Sequence, residues 1–177
     1  MIFIVEGANA TGKSSVVECL RARRREIFHD RPHFVTLPHR HDSDGDYYSL
    51  GAERRGHEVF TSLYRSTETY VFDRWSTVTS VVYNRIRGVE NPDWLLRPEW
   101  LYDVRLIGLS ASPEALLERI QARPCCRDRY TLDRVKLIVD KYEERFQEIS
   151  DRGIPVLRAE SSDAENIMKF ILEESGG

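Results

Sequence analysis

The stretch Ile2-Phe3-Ile4-Val5-Glu6-Gly7-Ala8-Asn9-Ala10-Thr11-Gly12-Lys13-Ser14-Ser15 limits what this chain can fold into more than any other. Met1 to Val5 is a short apolar run, partly β-branched and bounded by Gly7, which reads as a buried parallel strand. Residues 7 to 14 then match G-x-x-x-x-G-K-[ST] in full. Glycines allow a tight wrap in which successive backbone N–H groups point inward at phosphate oxygens. The helix that should follow, from Ser14 to about Phe28, places Val16, Val17, Leu20 and Ile27 at helical spacing and adds the positive end of its dipole. Strand, glycine-flanked loop and helix together make an anion cradle.

The same alternation continues downstream. His33 to Leu37 reads as a second strand, a polar loop runs through Asp46, and Leu50 to Ser66 reads as a helix carrying Val59, Phe60, Leu63 and Tyr64. Thr69 to Phe72 is a third strand, Thr77 to Ile86 a helix and Val104 to Leu109 a fourth strand. Ser112-Pro113-Glu114 opens the next helix with a cap, a first-position proline and an acid at the positive end. Leu116, Leu117 and Ile120 form its apolar stripe. An arginine-rich break at 123 to 129 precedes a long helix from about Leu132 to Ile149. Pro155 to Arg158 is a fifth strand and Asn166 to Glu174 a final helix. This order predicts one three-layer α/β/α domain over residues 1–177, with a five-stranded parallel sheet and its ligand site at the carboxyl ends of the strands.

Composition narrows the function classes. The 177 residues carry a formal charge of -3, so no global basic field points to nucleic acid. Arg21 to Arg25 reads as a solvated helix face. Nothing approaches the roughly 18 apolar residues of a membrane span. Cys19, Cys125 and Cys126 are an odd set, read as reduced thiols of a cytoplasmic protein. His39 and His41 with Asp42, Asp44 and Asp46 read as an acidic surface loop, because no third fixed metal ligand is identifiable.

In the phosphate loop, Lys13 can reach outer phosphates and the Ser14 hydroxyl can ligate Mg²⁺, which makes Gly7, Ala8, Asn9, Ala10, Thr11, Gly12, Lys13, Ser14 and Ser15 the candidate nucleotide contacts. No N-K-x-D segment for guanine recognition is present. A small phosphotransferase fits, and it needs an acceptor site and a basic lid. Thr69 to Trp75 is a strand ending in Asp-Arg-Trp: Asp73 is a candidate Mg²⁺ ligand through water and Arg74 a candidate fork for an acceptor phosphate. Arg119 to Arg129 is rich in guanidiniums suited to neutralising a transferring phosphoryl group.

These pieces resemble the P-loop nucleoside and nucleotide kinases, the thymidylate kinase branch most closely. The residues that carry the likeness are "FIVEGANATGKSS", "YVFDRW", "LIGLSASPEALLERIQAR" and "RDRYTLDRVKLIVDKYEERF", which follow the family's order along nearly the whole chain. The resemblance implies a P-loop fold with an arginine-rich lid at about 123–131, ATP and Mg²⁺ as cofactors, and phosphoryl transfer to a deoxynucleoside monophosphate. Asn9 stands where thymidylate kinases usually carry an acid, and "LPHRHDSD" stands for their Arg-Pro-Gly-Gly segment. Ala10 holds the place of the catalytic loop arginine of some relatives, so the lid must supply one, from Arg123, Arg127 or Arg129. Homodimers are common in that family, and no segment here identifies an interface.

The acceptor follows from charge. A hydroxyl acceptor needs a carboxylate base, characteristically at the end of the second strand, whereas this strand ends Thr36-Leu37-Pro38-His39-Arg40 with no carboxylate before Asp42. A phosphorylated acceptor is favoured, its phosphate held by Arg40, Arg65 and Arg74 and its base walled by Phe60, Tyr64 and Trp75. Two rivals stand beside it. One is a kinase of a hydroxyl on a nucleoside, a modified base or a polynucleotide end, with Asp73 or Asp42 as base; the other is a nucleotide-sensing module without catalysis.

Overall fold

Parallel pairing sets the architecture of the computed structural model, which describes residues 1–28, 30–36, 58, 67–96, 103–123 and 130–175. The strands are β1 (Ile2–Gly7), β2 (His33–Thr36), β3 (Tyr70–Asp73), β4 (Val104–Leu109) and β5 (Val156–Ala159). They lie in the order β2-β3-β1-β4-β5, all parallel. The phosphate-loop strand is therefore central, with Val5 opposite Asp73 on one side and Ile107 on the other. Every residue of β1 is buried, as expected of a strand covered on both faces.

The described helices are α1 (Lys13–Ala22), α2 (Arg24–Ile27), α3 (Ser76–Ile86), α4 (Asp93–Leu96), α5 (Pro113–Gln121), α6 (Leu132–Ser150) and α7 (Ala164–Ser175). Side-chain alternation in the strands divides the core. Ile2, Ile4, Phe72, Val104 and Leu106 pack with Val78 and Val82 of α3, Leu116 of α5 and Ile138 and Phe146 of α6. Phe3, Val5, Val71, Ile107 and Leu109 pack with Val16 and Leu20 of α1, Ile27 of α2 and Ile167 and Ile171 of α7. Helices thus cover both faces.

Two polar ties join α3 to α6. The fully buried Arg145 donates from Nε to the Thr77 carbonyl at 3.0 Å, and its Nη1 reaches Glu148 Oε2 at 3.0 Å. Arg85 of α3 makes a bidentate pair with the same Glu148 at 2.7 and 3.0 Å. Such planar pairing fixes the angle at which two helices meet.

The elements depart from the sequence expectations where tertiary packing overrides local pattern. β1 extends past Val5 to Gly7 because its pairing with β4 continues to Leu109. The single helix expected over Ser14 to Phe28 breaks at Arg23 (φ -97°, ψ 15°), and the kink turns Ile27 and Phe28 into the core. β3 and β5 are shifted one residue toward their carboxyl ends, to Asp73 and Ala159. α4 is too short to show a period; it buries Leu95. The expected helix over 50–66 and the arginine-rich break lie largely outside the described residues. Among the described residues no helix is long and apolar enough to cross a membrane.

α6 crosses the sheet at Gly108, where an added Cβ would sit 2.9 Å from the Phe146 ring. The Arg158 guanidinium, from the register partner of Gly108 on β5, also lies over the Phe146 ring, 4.6 Å from its centroid. Gly108→Ala is therefore expected to destabilise the fold by about 1–3 kcal/mol, the usual cost of overpacking, read as a lowered denaturation midpoint with unchanged m-value.

Candidate active site at the carboxyl edge of the sheet

The loop between β1 and α1 depends on two glycines. At Gly7 (φ 149°) a Cβ would meet the Leu109 carbonyl oxygen at 2.3 Å, so only glycine lets β1 turn away beside β4. At Gly12 (φ 92°) a Cβ would lie 2.6 Å from the Ser161 side chain, in the segment after β5. Gly12 also caps α1 and has no side chain to bond the helix amides. The first-turn N–H groups of α1 are thereby left to an anion.

Lys13 curls back over this loop. Its Nζ donates to the carbonyls of Gly7 and Ala8, each at 2.6 Å, and to Thr11 Oγ1 at 3.3 Å. Burial, then the nearby positive charge of Arg74, pulls its pKa from 10.5 down to about 7. Glu6 and Asp73 oppose that shift, and Arg123 adds to it. The charges of Lys13, Arg74 and Arg123 therefore converge on one place. The carboxylates of Glu6 and Asp73 lie near enough to offset part of that positive charge.

Ser14 and Asp73 meet across β1: the exposed Ser14 donates its hydroxyl to Asp73 Oδ2 at 3.0 Å. Asp73 points to the α1 face because Phe72, one residue earlier, points to the other. Its Oδ1 is buried without a hydrogen-bond partner. A hydroxyl, a carboxylate oxygen and an unspent buried acceptor are hard oxygen donors of the kind Mg²⁺ takes, with water and phosphate supplying the remainder.

Beyond Asp73 the chain turns sharply. Arg74 adopts φ 74°, a left-handed conformation that costs a non-glycine residue roughly 1–2 kcal/mol, and its N–H donates to Val5 O at 3.0 Å. The turn sends Trp75 inward. Trp75 was expected to wall an acceptor base, but it is 1% exposed and stacks edge-on against Phe72 at 4.4 Å in the core. Its place as a wall residue is corrected by that burial.

Two further contacts close on the loop from the α5 and α6 side. Arg119, the first arginine of the basic stretch, donates to Ala10 O at 3.3 Å. Asn9 donates from Nδ2 to the Tyr130 hydroxyl at 2.9 Å. Arg123 is exposed just beyond α5. Arg40, Phe60, Tyr64, Arg65, Arg127 and Arg129 lie outside the described residues.

The residue that sequence reasoning passed over is Glu6. It is 0% exposed and continues the face of Ile2 and Ile4, where the strand pattern calls for an aliphatic. Its carboxylate accepts from Trp75 N at 2.6 Å, Thr79 Oγ1 at 2.9 Å and Gly7 N at 3.2 Å. Thr79 Oγ1 in turn lies 3.2 Å from the Tyr142 hydroxyl on α6. Desolvation raises the Glu6 pKa, while Lys13 and the Trp75 N–H favour its charged form. A polar residue on the apolar face of a strand was the available signal.

The sign of the Lys13 shift gives a test. The unfolded chain keeps a proton on Lys13 up to about pH 10.5, the folded chain only up to about 7. Between these values the unfolded state binds more protons, so stability rises with pH. Across this window the wild type should gain stability relative to Lys13→Met, measured by denaturant unfolding at several pH values; a parallel pair of curves would show that Lys13 keeps its ordinary pKa.

No family model matches the sequence, and no curated protein matches it. Similarity to solved structures is extensive at low identity. The YorR protein of Bacillus subtilis, in complex with phosphorylated GDP, superposes with a TM-score of 0.64 at 18% identity, covering 98% of this chain and 94% of that one. Deoxyadenosine kinase of M. mycoides with bound dATP gives 0.61 at 15% identity over 100% of both chains. The same kinase with dCMP and dCDP gives 0.59 at 14% identity, over 99% and 98%. The chain thus has the P-loop nucleotide kinase fold, a five-stranded parallel sheet with helices on both faces.

Proposed function

We propose that this protein is an ATP-dependent phosphotransferase that moves the γ-phosphoryl group to a deoxynucleoside monophosphate, in the manner of thymidylate kinases. The observation that carries the reading is the placement of Lys13, Ser14 and Asp73 around a glycine-built loop with an uncapped helix end. Lys13 would exchange the Gly7 and Ala8 carbonyls for phosphate oxygens, which keep it charged. The α1 amides and Lys13 would hold the donor phosphates, and Ser14 and Asp73 would hold Mg²⁺. When bound, the metal neutralises phosphate charge. Arg74 would grip the acceptor phosphate, and Arg123, with Arg127 and Arg129, would offset charge on the phosphoryl group in flight. An acceptor oxygen attacks the γ-phosphorus as the bond to the β–γ bridging oxygen breaks, and ADP leaves with that electron pair.

A second acceptor is favoured by one observation. Three of the similar structures are of a deoxyadenosine kinase, whose name gives it a nucleoside substrate. In that reading the buried, unspent Asp73 Oδ1 would take the hydroxyl proton.

Mass spectrometry of products formed from ATP, Mg²⁺ and a panel of nucleoside monophosphates, nucleosides and DNA separates the readings. Diphosphates formed by wild type, with turnover reduced about 10²–10³-fold or more in Lys13→Ala, would support the monophosphate acceptor. New monophosphates or phosphorylated DNA would move the role to a hydroxyl kinase. ATP binding without turnover would leave a sensing module.

Nucleotide binding should also take up a proton. With the Lys13 pKa at about 7 in the free protein, phosphate anions would raise it. Calorimetry at about pH 8 in two buffers of different ionisation enthalpy should show uptake approaching one proton per ATP. No buffer dependence would refute the shift.

A further inference from the structure

We propose that Glu6 is a positioning residue for phosphoryl transfer: its carboxylate holds the Asp73-Arg74-Trp75 turn in the left-handed form that keeps the Arg74 charge beside Lys13. The role assigned to Arg74 rests on the kinase reading above, whereas the hold on the turn does not.

The geometry is specific to a carboxylate. One oxygen accepts from Trp75 N at 2.6 Å and the other from Gly7 N at 3.2 Å, so the residues on either side of the site share one buried acceptor. Thr79 Oγ1 lies 2.9 and 3.0 Å from the two oxygens. A carboxylate needs no donor of its own and satisfies both N–H groups. An amide in its place would turn an NH₂ toward one of them, whichever way it was flipped. Trp75 is the residue after Arg74, and Arg74 N is fixed to Val5 O at 3.0 Å. With both flanking amides pinned, the peptide between them is held at φ 74° against its own preference. Arg74 lies close enough to favour the ionised form of Glu6 and to disfavour the charge on Lys13. Release of the Trp75 N–H would let Arg74 relax to an ordinary backbone conformation and swing its guanidinium away. The Glu6 side chain itself faces α3 and α6, on the opposite side of the sheet from Ser14 and Asp73, so it acts through the turn.

The test is a double-mutant cycle on the full-length protein with a crystal structure of Glu6→Gln. Steady-state kinetics are measured for wild type, Glu6→Gln, Arg74→Ala and the double variant, with ATP and the acceptor that wild type uses. The expected result is a loss in kcat/KM for the acceptor of about 10²-fold in Glu6→Gln, the effect of a misplaced positioning group, with KM for ATP unchanged within about twofold. The double variant should lose no more than Arg74→Ala alone, and Glu6→Asp should recover part of the loss. In the crystal, Arg74 should leave the left-handed region. Multiplicative losses in the double variant, or a KM for ATP that rises in step with that for the acceptor, would overturn the inference. If Glu6→Gln does not fold, Glu6→Asp, whose shorter arm cannot span both Gly7 N and Trp75 N, takes its place in the cycle and in the crystal, with smaller losses read the same way. If wild type turns over no acceptor, the kinase reading fails by itself. The crystal structure then decides, and an Arg74 that keeps its φ near 74° overturns the hold attributed to Glu6.

Discussion

A carboxylate seated where the core pattern asks for an aliphatic organises the carboxyl edge of this sheet. Glu6 follows Ile2 and Ile4 on the face covered by α3 and α6, and it has no exposure to water. Burying such a group without partners costs several kcal/mol, so the surrounding structure is built to supply donors. They come from the start of the phosphate loop, from the turn after β3 and from the first turns of α3. Two segments far apart in sequence, the start of the loop and the turn that leads into α3, are registered against one another by a single group. Lys13, on the other side of the loop, supplies the opposite charge without touching it.

Much of this was legible in the sequence. The alternation of apolar runs with amphipathic stretches gave five parallel strands, with β4 matching residue for residue, because a covered parallel strand reads as a mostly apolar run. The cap at Ser112, which accepts from Ala115 N at 3.3 Å, was readable because capping chemistry is local. The phosphate loop was readable because its glycines answer to backbone geometry that tolerates little else. Where sequence reasoning fell short, the cause was a contact at long range. The break at Arg23 answers to Ile27 and Phe28 entering the core, and Trp75 turns inward because the turn before it is held from β1. Neither has a local signature.

The candidate site was legible as a motif and incomplete as a geometry. Lys13, Ser14, Asp73 and Arg74 could be named from spacing and strand ends, and the structure brings them together. The contacts from Arg119 to Ala10 and from Asn9 to Tyr130 belong to pairs separated by most of the domain, which a single sequence does not reveal. Low identity to structures of similar fold is consistent with this division. The loop and the sheet are fixed by backbone requirements, whereas the side chains around the candidate site are free to change.

The close approach of Gly12 to Ser161 has a consequence for synthesis. Of the five described strands β1 is made before the others, and it lies at the centre of the sheet, between β3 and β4. Its neighbours emerge much later, and the segment that presses on the loop emerges only after β5. β1 therefore lacks one of its two strand partners until β4 is made, and its loop is closed on only after β5. A nascent chain of this topology completes the pairing of its central strand late, and until then β1 is an apolar strand that a holding chaperone would shield.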